Sequence, residues 1–427
     1  MSPQNKRYIT LIVFSLFLFA GGVLLIAQRQ QFALKEGDTV AFYGDSITAQ
    51  RLYTKFTEEF VLTRYPTLNL HFVNAGVSGD TVYGGKAGSV QARIPRDIAP
   101  FHPTMITVML GMNDGSYVGE PKSSVIEDKY KKGYQELLGL LENTVPGASF
   151  TLIRPSPYDE ITHGSRFPGY SRVLENYGDD VVEIAKRLMK SGNKSVLVAD
   201  LNEPVVKALK RAQIQLPQLA STLLPDHVHP TDTVHWIMAA ALVSAWHIDP
   251  IVSRLELDAS HVEITSKSRT TVTNLKKTTG GLQWTQLEEA LPLPIDPLSP
   301  ATSILYGISG IDEIDQQTLE VDGLDPGSYQ LLIDTKPIDA FSQKALQQGV
   351  NLAHYKTPML EQAMAIDKEE GRRNTLDQSR FMLMAEFKHT TNTASGVTAL
   401  LEAEEQINLI IHAEIQPKPH DFELRRQ

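Results

Sequence analysis

Short apolar runs alternate with helical patterns over the first half of the chain, from Thr39 to about Trp246. The runs are brief, apolar on both faces and rich in Val, Ile and Phe, which is typical of buried parallel strands. The predicted strands are Thr39–Tyr43, Leu70–Asn74, Met105–Leu110, Phe150–Ile153 and Ser195–Ala199. Between them, the 3.6-residue period and capping signals predict helices over Ala49–Arg64, from Ser124, over Tyr170–Lys190 and over Thr233–Trp246. This alternation indicates an α/β fold with a parallel sheet, which binds ligands at the carboxyl ends of its strands.

The pattern changes after Pro250. Short alternating strands with turns between them are predicted at Val262–Thr265, Thr270–Val272, Leu282–Thr285, Thr318–Val321 and Tyr329–Ile333. From about Phe341 the pattern is helical, with a break at Pro358. We therefore predict three parts: residues 1–35, an α/β domain over 36–250, and a mixed accessory domain over 251–427 in which a small sheet is followed by two or three helices.

The N-terminus carries an uncharged run from Tyr8 to Ala27 directly after Lys6 and Arg7. A helix of about twenty residues spans about 30 Å, the thickness of a bilayer's hydrocarbon core. This predicts a transmembrane signal-anchor helix whose basic end stays in the cytoplasm. The alternative is a cleaved signal peptide, since Ala20-Gly21-Gly22 provides small residues after a shorter apolar core. Under either interpretation, residues 36 onward are exported from the cytoplasm.

The composition excludes several classes of protein. The 427 residues are 42% hydrophobic and 21% charged, which excludes a wholly disordered chain. The formal net charge of -10 is spread along the chain without a basic stripe, so no nucleic-acid partner is expected. The chain has no Cys, which excludes disulfide scaffolds, thiol nucleophiles, Cys-ligated zinc and iron–sulfur clusters.

A candidate nucleophile follows the first predicted strand, which runs through Gly44 and Asp45 into Ser46 and a helix. A serine at such a turn holds its hydroxyl at the carboxyl edge of the sheet. It also lies near a helix N-terminus, whose dipole favours developing negative charge. The alternative is that Ser46 only caps the helix.

Two further loops and one histidine segment add candidates at the same sheet edge. Gly76 follows the second strand, where it either makes a tight turn or presents its N–H to a ligand. Asn113 follows the third strand, where it is a turn residue or donates its amide to an oxyanion. The spacing of Asp226 and His229 lets the carboxylate orient the imidazole, so that His229 can act as a base for Ser46.

A metal site is the alternative interpretation of the histidine segment. His227, His229 and His235 could ligate a metal ion, because His-x-His is a common ligand spacing. No further acidic cluster lies nearby in the sequence, which argues against this interpretation.

Taken together, these segments resemble the SGNH/GDSL-type serine hydrolases over about residues 38–248. The matching blocks, in family order, are Gly44-Asp45-Ser46-Ile47-Thr48, Asn74-Ala75-Gly76, Gly111-Met112-Asn113-Asp114 and Asp226-x-x-His229-Pro230. Two small departures are Ile47, where many members have Leu, and Thr231-Asp232, where many have Gly.

The resemblance implies a three-layer α/β/α, flavodoxin-like fold. It implies a catalytic triad of Ser46, His229 and Asp226, and an oxyanion hole made by the N–H groups of Ser46 and Gly76 with the Asn113 side chain. It implies no metal and no organic cofactor.

Exported members of this family often act on acylated polysaccharides, so we expect a carbohydrate O-acetyl or acyl esterase. The alternatives are a lipase-like, lysophospholipase-like or acyltransferase activity on the same triad, and a non-catalytic glycan-binding envelope protein. The expected partners are an ester substrate and, through the N-terminal helix, a membrane. The aromatic residues near the predicted site either stack on sugar rings or pack in the core: Tyr43, Tyr83, Tyr117, Tyr158 and Trp236.

Overall fold

A computed structural model describes residues 31–118, 124–164, 166–192, 195–386 and 391–427. The first half of the chain forms a five-stranded sheet with the strand order β2-β1-β5-β6-β7, in which every neighbouring pair is parallel. Its elements are β1 (Thr39–Gly44), α1 (Ser46–Ala49), α2 (Leu52–Arg64), β2 (His71–Gly76), β3 (Gly84–Gly85), β4 (Gly88–Ser89), α3 (Val90–Arg93), β5 (Met105–Met109), α4 (Ser124–Thr144), β6 (Ser149–Arg154), α5 (Tyr170–Lys190), β7 (Val196–Asp200), α6 (Glu203–Gln215) and α7 (Asp232–Ala245). A π-helical turn at Ile94–Ile98 and short 3₁₀ turns at Ala99–Phe101 and Ala220–Thr222 complete this half.

Helices cover both faces of this sheet, as predicted for an α/β fold. Phe42 of β1 meets Tyr53 of α2 at 6.2 Å between ring centroids. The next residue, Tyr43, points to the opposite face because strand side chains alternate, and it lies under Arg93 of α3 at 4.6 Å. Both tyrosines are fully buried, so the sheet sits inside the larger hydrophobic core.

The five predicted strands of this half are confirmed to within two residues at each end. The predicted helix Ala49–Arg64 is in fact two helices, because Arg51 adopts a left-handed backbone with φ of 66° between α1 and α2. Helix α6 was not predicted, although its buried residues Val205, Ala208, Leu209 and Ala212 follow a helical period.

The second half holds two more sheets and a helical hairpin. The sheet orders are β10-β11-β16-β13-β14 and β15-β12-β8-β9. The elements are β8 (Ile251–Asp258), β9 (Glu263–Ser268), β10 (Thr270–Thr278), β11 (Gly281–Glu288), α8 (Pro300–Ile308), β12 (Gln316–Asp322), β13 (Ser328–Ile333), β14 (Lys336–Ser342), α9 (Gln343–Gln348), β15 (Val350–Asn351), α10 (Pro358–Glu386), α11 (Thr391–Glu414) and β16 (Pro419–Arg426), with 3₁₀ turns at Ile311–Ile314 and Leu352–His354.

Three features of this half differ from the prediction of a sheet followed by helices. The last strand, β16, follows the helical hairpin and yet lies between β11 and β13 in the middle of its sheet. Pro358 begins α10 instead of breaking it, because the first helical turn needs no N–H donor. The segment from Leu293 to Ile311 packs into the core of the first half, so the two halves share a large contact.

The predicted membrane helix over Tyr8–Ala27 lies outside the described residues. Of the helices that the structure describes, none combines the length and the apolar character needed to cross a membrane.

Candidate active site

Ser46 is the first residue of α1 and stands directly after the end of β1. The Asp45 carboxylate caps this helix by accepting a hydrogen bond from the Ile47 backbone N–H at 3.0 Å. The N–H of Ser46 has no acceptor within the helix because it lies in the first turn. Gly44 is required at the turn, since a β-carbon there would lie 2.1 Å from Thr48 Oγ1 and 2.8 Å from the Met109 carbonyl oxygen.

The structure brings Ser46, His229 and Asp226 into one hydrogen-bonded chain. His229 Nε2 lies 2.8 Å from Ser46 Oγ, and His229 Nδ1 lies 2.6 Å from Asp226 Oδ2. An ionised carboxylate only accepts, so Nδ1 carries a proton and Nε2 of the neutral ring accepts from the serine hydroxyl. This arrangement can deprotonate Ser46 as its oxygen attacks an electrophile.

The Asp226 carboxylate is held in its ionised form. Partial burial would raise its pKa. The backbone N–H of His229 at 2.7 Å, the His229 ring and the Val228 N–H at 3.0 Å outweigh burial, so the pKa lies below its usual range. A carboxylate that stays charged can stabilise the imidazolium that forms on proton transfer.

The segment with Asp226 and His229 is anchored by His227 to a neighbouring loop. His227 Nδ1 lies 2.8 Å from the Asp159 carbonyl oxygen, and the Asp159 N–H donates to the His227 carbonyl at 2.9 Å. The His227 ring stacks on Tyr158 with centroids 5.1 Å apart. Its φ of 71° is unusual for a residue with a side chain, and these contacts hold it there.

The alternative metal site at His227, His229 and His235 is not supported. His227 bonds to Asp159, and His229 bonds to Ser46 and Asp226. His235 is buried beside α2, accepts from the Tyr53 N–H at 3.2 Å, and has its pKa lowered to about 3 by burial. In the described part of the chain, the His, Asp and Glu ligand atoms that lie close enough to share an ion belong to a different group, at the turn between β8 and β9: Asp258, His261 and Glu263.

Of the predicted oxyanion donors, Asn113 has a free N–H and Gly76 does not. Asn113 Nδ2 donates to the Asp80 carbonyl at 2.9 Å, which leaves its second hydrogen for a ligand. The Gly76 N–H donates to Asn74 Oδ1 at 3.0 Å, so the prediction for Gly76 is wrong in this respect. Gly76 is instead required for packing, because a β-carbon there would lie 2.4 Å from the Ala49 backbone nitrogen.

Gly79 is a better candidate for the missing donor. It lies in the loop after β2, has a φ of 78°, and its N–H finds no acceptor among the described residues. The bond from Asn113 to the Asp80 carbonyl places the end of this loop beside the Asn113 amide. The sequence did not separate the two glycines, because both follow the predicted strand Leu70–Asn74; in the structure β2 continues through Gly76, and Gly79 lies beyond it.

Three buried carboxyl groups lie next to the catalytic residues in the chain: Asp45, Asp80 and Asp114. Burial raises the pKa of Asp45 and of Asp114 to about 7. Burial also raises the pKa of Asp80 to about 6, against the opposing charge of the Arg93 guanidinium. Repulsion from neighbouring carboxylates adds to each shift, so this cluster takes up protons as the pH falls toward neutrality.

Most of the predicted aromatic candidates are packing residues. Tyr43, Tyr158 and Trp236 are buried, and the Tyr83 hydroxyl donates to the Lys129 carbonyl at 2.7 Å. Tyr83 and Tyr117 are both half-buried, and Tyr117 differs because carboxylates of the site lie near it. Burial and the nearby charges of Asp45 and Asp226 raise its pKa. Its position near two carboxylates of the site makes it a candidate for the pocket wall.

The chain is similar to several known proteins. Residues 42–237 match the GDSL-like lipase/acylhydrolase family. The chain is 26% identical over 226 residues to an acetylxylan esterase from Geobacillus stearothermophilus, in a match that covers 48% of this chain and 93% of that protein. It is 23% identical to a gut microbial diltiazem-metabolizing enzyme of solved structure, with a TM-score of 0.77 and coverage of 92% of this chain and 98% of the other.

A solved structure of an acetylxylan esterase from Geobacillus stearothermophilus is also similar, at 23% identity and a TM-score of 0.39 over 50% of this chain and 96% of the other. The relationship to the hydrolases is concentrated in the half of the chain that holds Ser46 and His229. Residues 42–237 therefore form a domain of the SGNH/GDSL hydrolase family, and the chain is an ester-bond hydrolase.

Proposed function

We propose that this hydrolase is an exported carbohydrate O-acetyl esterase that forms its acyl-enzyme on Ser46. The observation that carries the proposal is the hydrogen-bonded chain from Asp226 through His229 to Ser46. The acetylxylan esterase relative supports an acetylated carbohydrate as the substrate. Export is inferred from the uncharged segment Tyr8–Ala27.

In the first step, His229 Nε2 takes the hydroxyl proton of Ser46 while Oγ attacks the ester carbonyl carbon. The carbonyl oxygen becomes an oxyanion, which the Ser46 N–H, the Gly79 N–H and the free hydrogen of Asn113 Nδ2 stabilise. The Asp226 carboxylate stabilises the imidazolium. As the carbon–oxygen bond to the sugar breaks, the imidazolium returns its proton to the leaving hydroxyl.

In the second step, a water molecule replaces the sugar hydroxyl. His229 takes a proton from the water, whose oxygen attacks the acetyl carbon of the acyl-enzyme. The same donors hold the second oxyanion. Collapse of this intermediate releases acetic acid, and His229 returns the proton to Ser46 Oγ, so the enzyme regains its starting state.

Single substitutions at the site separate these roles. Ser46→Ala should lower kcat about 10⁴-fold or more because it removes the nucleophile, and Asp226→Asn should cost about 10⁴-fold by favouring the wrong tautomer. Asn113→Ala should cost about 10²- to 10³-fold because one oxyanion donor is lost. The measurement is kcat for 4-nitrophenyl acetate, with Ser244→Ala, an exposed serine on α7, as the control. Equal losses for Ser46→Ala and Asn113→Ala would contradict these roles.

A substrate panel tests the proposed specificity. We expect acetate release from acetylated xylan and xylo-oligosaccharides, and labelling of Ser46 by a fluorophosphonate. Fatty-acid release from phospholipid or triacylglycerol without acetate release would favour a lipase-like enzyme. Transfer of the acetyl group to an added sugar in preference to water would favour an acyltransferase.

A further inference from the structure

A groove of about 600 Å³ lies between the turns that follow β1 and β2 and α10, the first helix of the C-terminal hairpin. Ala49 of α1 and Ser78, after β2, contribute to one wall. Gln378 and Met382 of α10 contribute to the other. The two walls are separated by about 300 residues in the chain, so only the folded structure reveals this groove. Its volume falls within the range of roughly 300 to 1,000 Å³ that is usual for small-molecule sites.

The groove begins next to the proposed catalytic groups. Ala49 lies three residues after Ser46 on the same short helix, which places the two residues one turn apart. Ser78 directly precedes Gly79, the proposed oxyanion donor. The groove therefore begins within one helical turn of Ser46 and next to Gly79, so a substrate whose ester lies at Ser46 can extend into it.

The lining is mixed in character. Phe381 and Met382 present an aromatic ring and a thioether, and Met382 is 44% exposed. Lys86 and Gln378 are exposed polar residues, and Lys86 has no carboxylate partner among the residues that the structure describes. Sugars match such a surface, because their C–H faces pack on apolar groups while their hydroxyls accept from ammonium and amide donors. A fatty acyl chain would require an apolar lining throughout.

The wall formed by α10 is held rigidly against the catalytic half. Asp377 forms a buried ion pair with Arg51, directly before α2. Arg373 pairs with Glu58 of α2 and, at 2.9 Å, with Glu370 of its own helix. A rigid wall gives a binding site a defined shape before the ligand arrives, which lowers the entropic cost of binding.

We propose that this groove binds the sugar units next to the acetylated one, so that the C-terminal half of the chain takes part in substrate recognition. The inference rests on the proposed function, since it names a subsite for the same substrate. It assigns Met382 and Lys86 to contacts with the glycan and leaves the chemical step to the groups around Ser46.

The test compares kcat/KM for an acetylated xylose monosaccharide with that for an acetylated xylotetraose, using the full chain. For the wild-type protein we expect the longer substrate to be favoured about 10-fold or more. Met382→Ala and Lys86→Gln should each lower this ratio about 5-fold, mainly through KM, as expected for the loss of one ordinary contact. Met189→Ala is the matched control, because Met189 is 45% exposed on α5, away from the groove, and should keep the ratio.

The possible outcomes are distinct. The groove is not a subsite if both substrates release acetate but the wild-type ratio of kcat/KM is near one. The same conclusion follows if both variants keep the wild-type ratio. In either case the esterase proposal stands. If no acetylated carbohydrate releases acetate, the proposed function and the groove assignment both fail.

Discussion

At the scale of single residues, two glycines three positions apart have different physical roles. Gly76 lies where β2 packs on α1, and its N–H is bonded to Asn74. Gly79 has a left-handed backbone and lies in open space, because a β-carbon at this position would meet nothing within 4 Å beyond its chain neighbours. Gly76 therefore matters for packing and Gly79 for presenting a backbone donor.

Alanine substitutions separate these two roles. Gly76→Ala should lower the free energy of unfolding by about 2 to 3 kcal/mol, since its β-carbon meets backbone that cannot move aside. Gly79→Ala should cost about 1 kcal/mol of backbone strain and lower kcat by up to about 100-fold through the displaced N–H. Urea unfolding and kcat for 4-nitrophenyl acetate measure both effects. Gly139→Ala, in open space within α4, is the control and should not destabilise the protein. Full kcat in Gly79→Ala would remove Gly79 from the oxyanion site.

At the scale of elements, α1 depends on a buried carboxyl group as its cap. Asp45 is 2% exposed, and burial raises its pKa to about 7. An unfolded aspartate titrates near pH 4, so between about pH 4 and pH 7 the folded protein binds more protons than the unfolded chain. The contribution of Asp45 to stability therefore falls as the pH rises through this window and is constant above it.

Asp45→Asn should flatten this part of the pH dependence. The asparagine oxygen can still accept from the Ile47 N–H, and the amide does not ionise. We expect the variant to be more stable than the wild type at pH 8, by on the order of 2 kcal/mol, and to lose this advantage by pH 4 to 5. Urea midpoints at pH 5 and pH 8 measure the difference. Asp325→Asn, whose carboxylate is 81% exposed, serves as the control. An unchanged pH dependence in Asp45→Asn would show that Asp45 is ionised in the folded state.

At the scale of the whole molecule, buried ion pairs join helix α10 of the C-terminal hairpin to the catalytic half. The Arg51 and Asp377 side chains are each 6% exposed, and Asp377 also pairs with Arg380. Arg51 in turn reaches the Asn74 carbonyl oxygen, beside the turn that holds Gly76. The position of α10 is thereby coupled to the loops around Ser46.

Removing one partner of this buried pair should destabilise the folded protein. Asp377→Ala leaves the Arg51 charge buried without its carboxylate, so we expect the free energy of unfolding to fall by about 3 to 5 kcal/mol. Glu136→Ala is the matched control on an exposed pair, since Lys132 and Glu136 are 76% and 57% exposed, and it should change stability by less than about 1 kcal/mol. Denaturant unfolding of both variants measures the contrast. Equal effects would mean that the Arg51–Asp377 pair adds little to the interface.

Several parts of the fold and the site followed from local sequence alone. The five parallel strands were predictable because a strand buried on both faces requires a continuous apolar run. Ser46, Asn113 and the Asp226–His229 segment were predictable as candidates because each follows a strand or precedes a helix, and parallel strands bring such loops to one edge. The hydrogen bond between Asp226 and His229 spans three residues and is largely a local property.

Other features were decided only by the tertiary structure. The Gly76 N–H bonds to Asn74 Oδ1, and Asn74 is held in that orientation by the bonds that its Nδ2 donates to the Thr48 carbonyl and the Thr54 hydroxyl, which are distant in the chain. Strand β16 lies in the middle of a sheet whose other strands all precede the helical hairpin. Its pairing with β11 and β13 is set by how the whole chain packs. The groove beside Ala49 exists because α10 docks through Arg51 and Arg373. Local sequence thus determined the chemical groups and the elements that present them. Long-range contacts determined which backbone N–H groups are free to bind a ligand. They also determined which distant parts of the chain form the groove, because both depend on pairings that local periodicity does not encode.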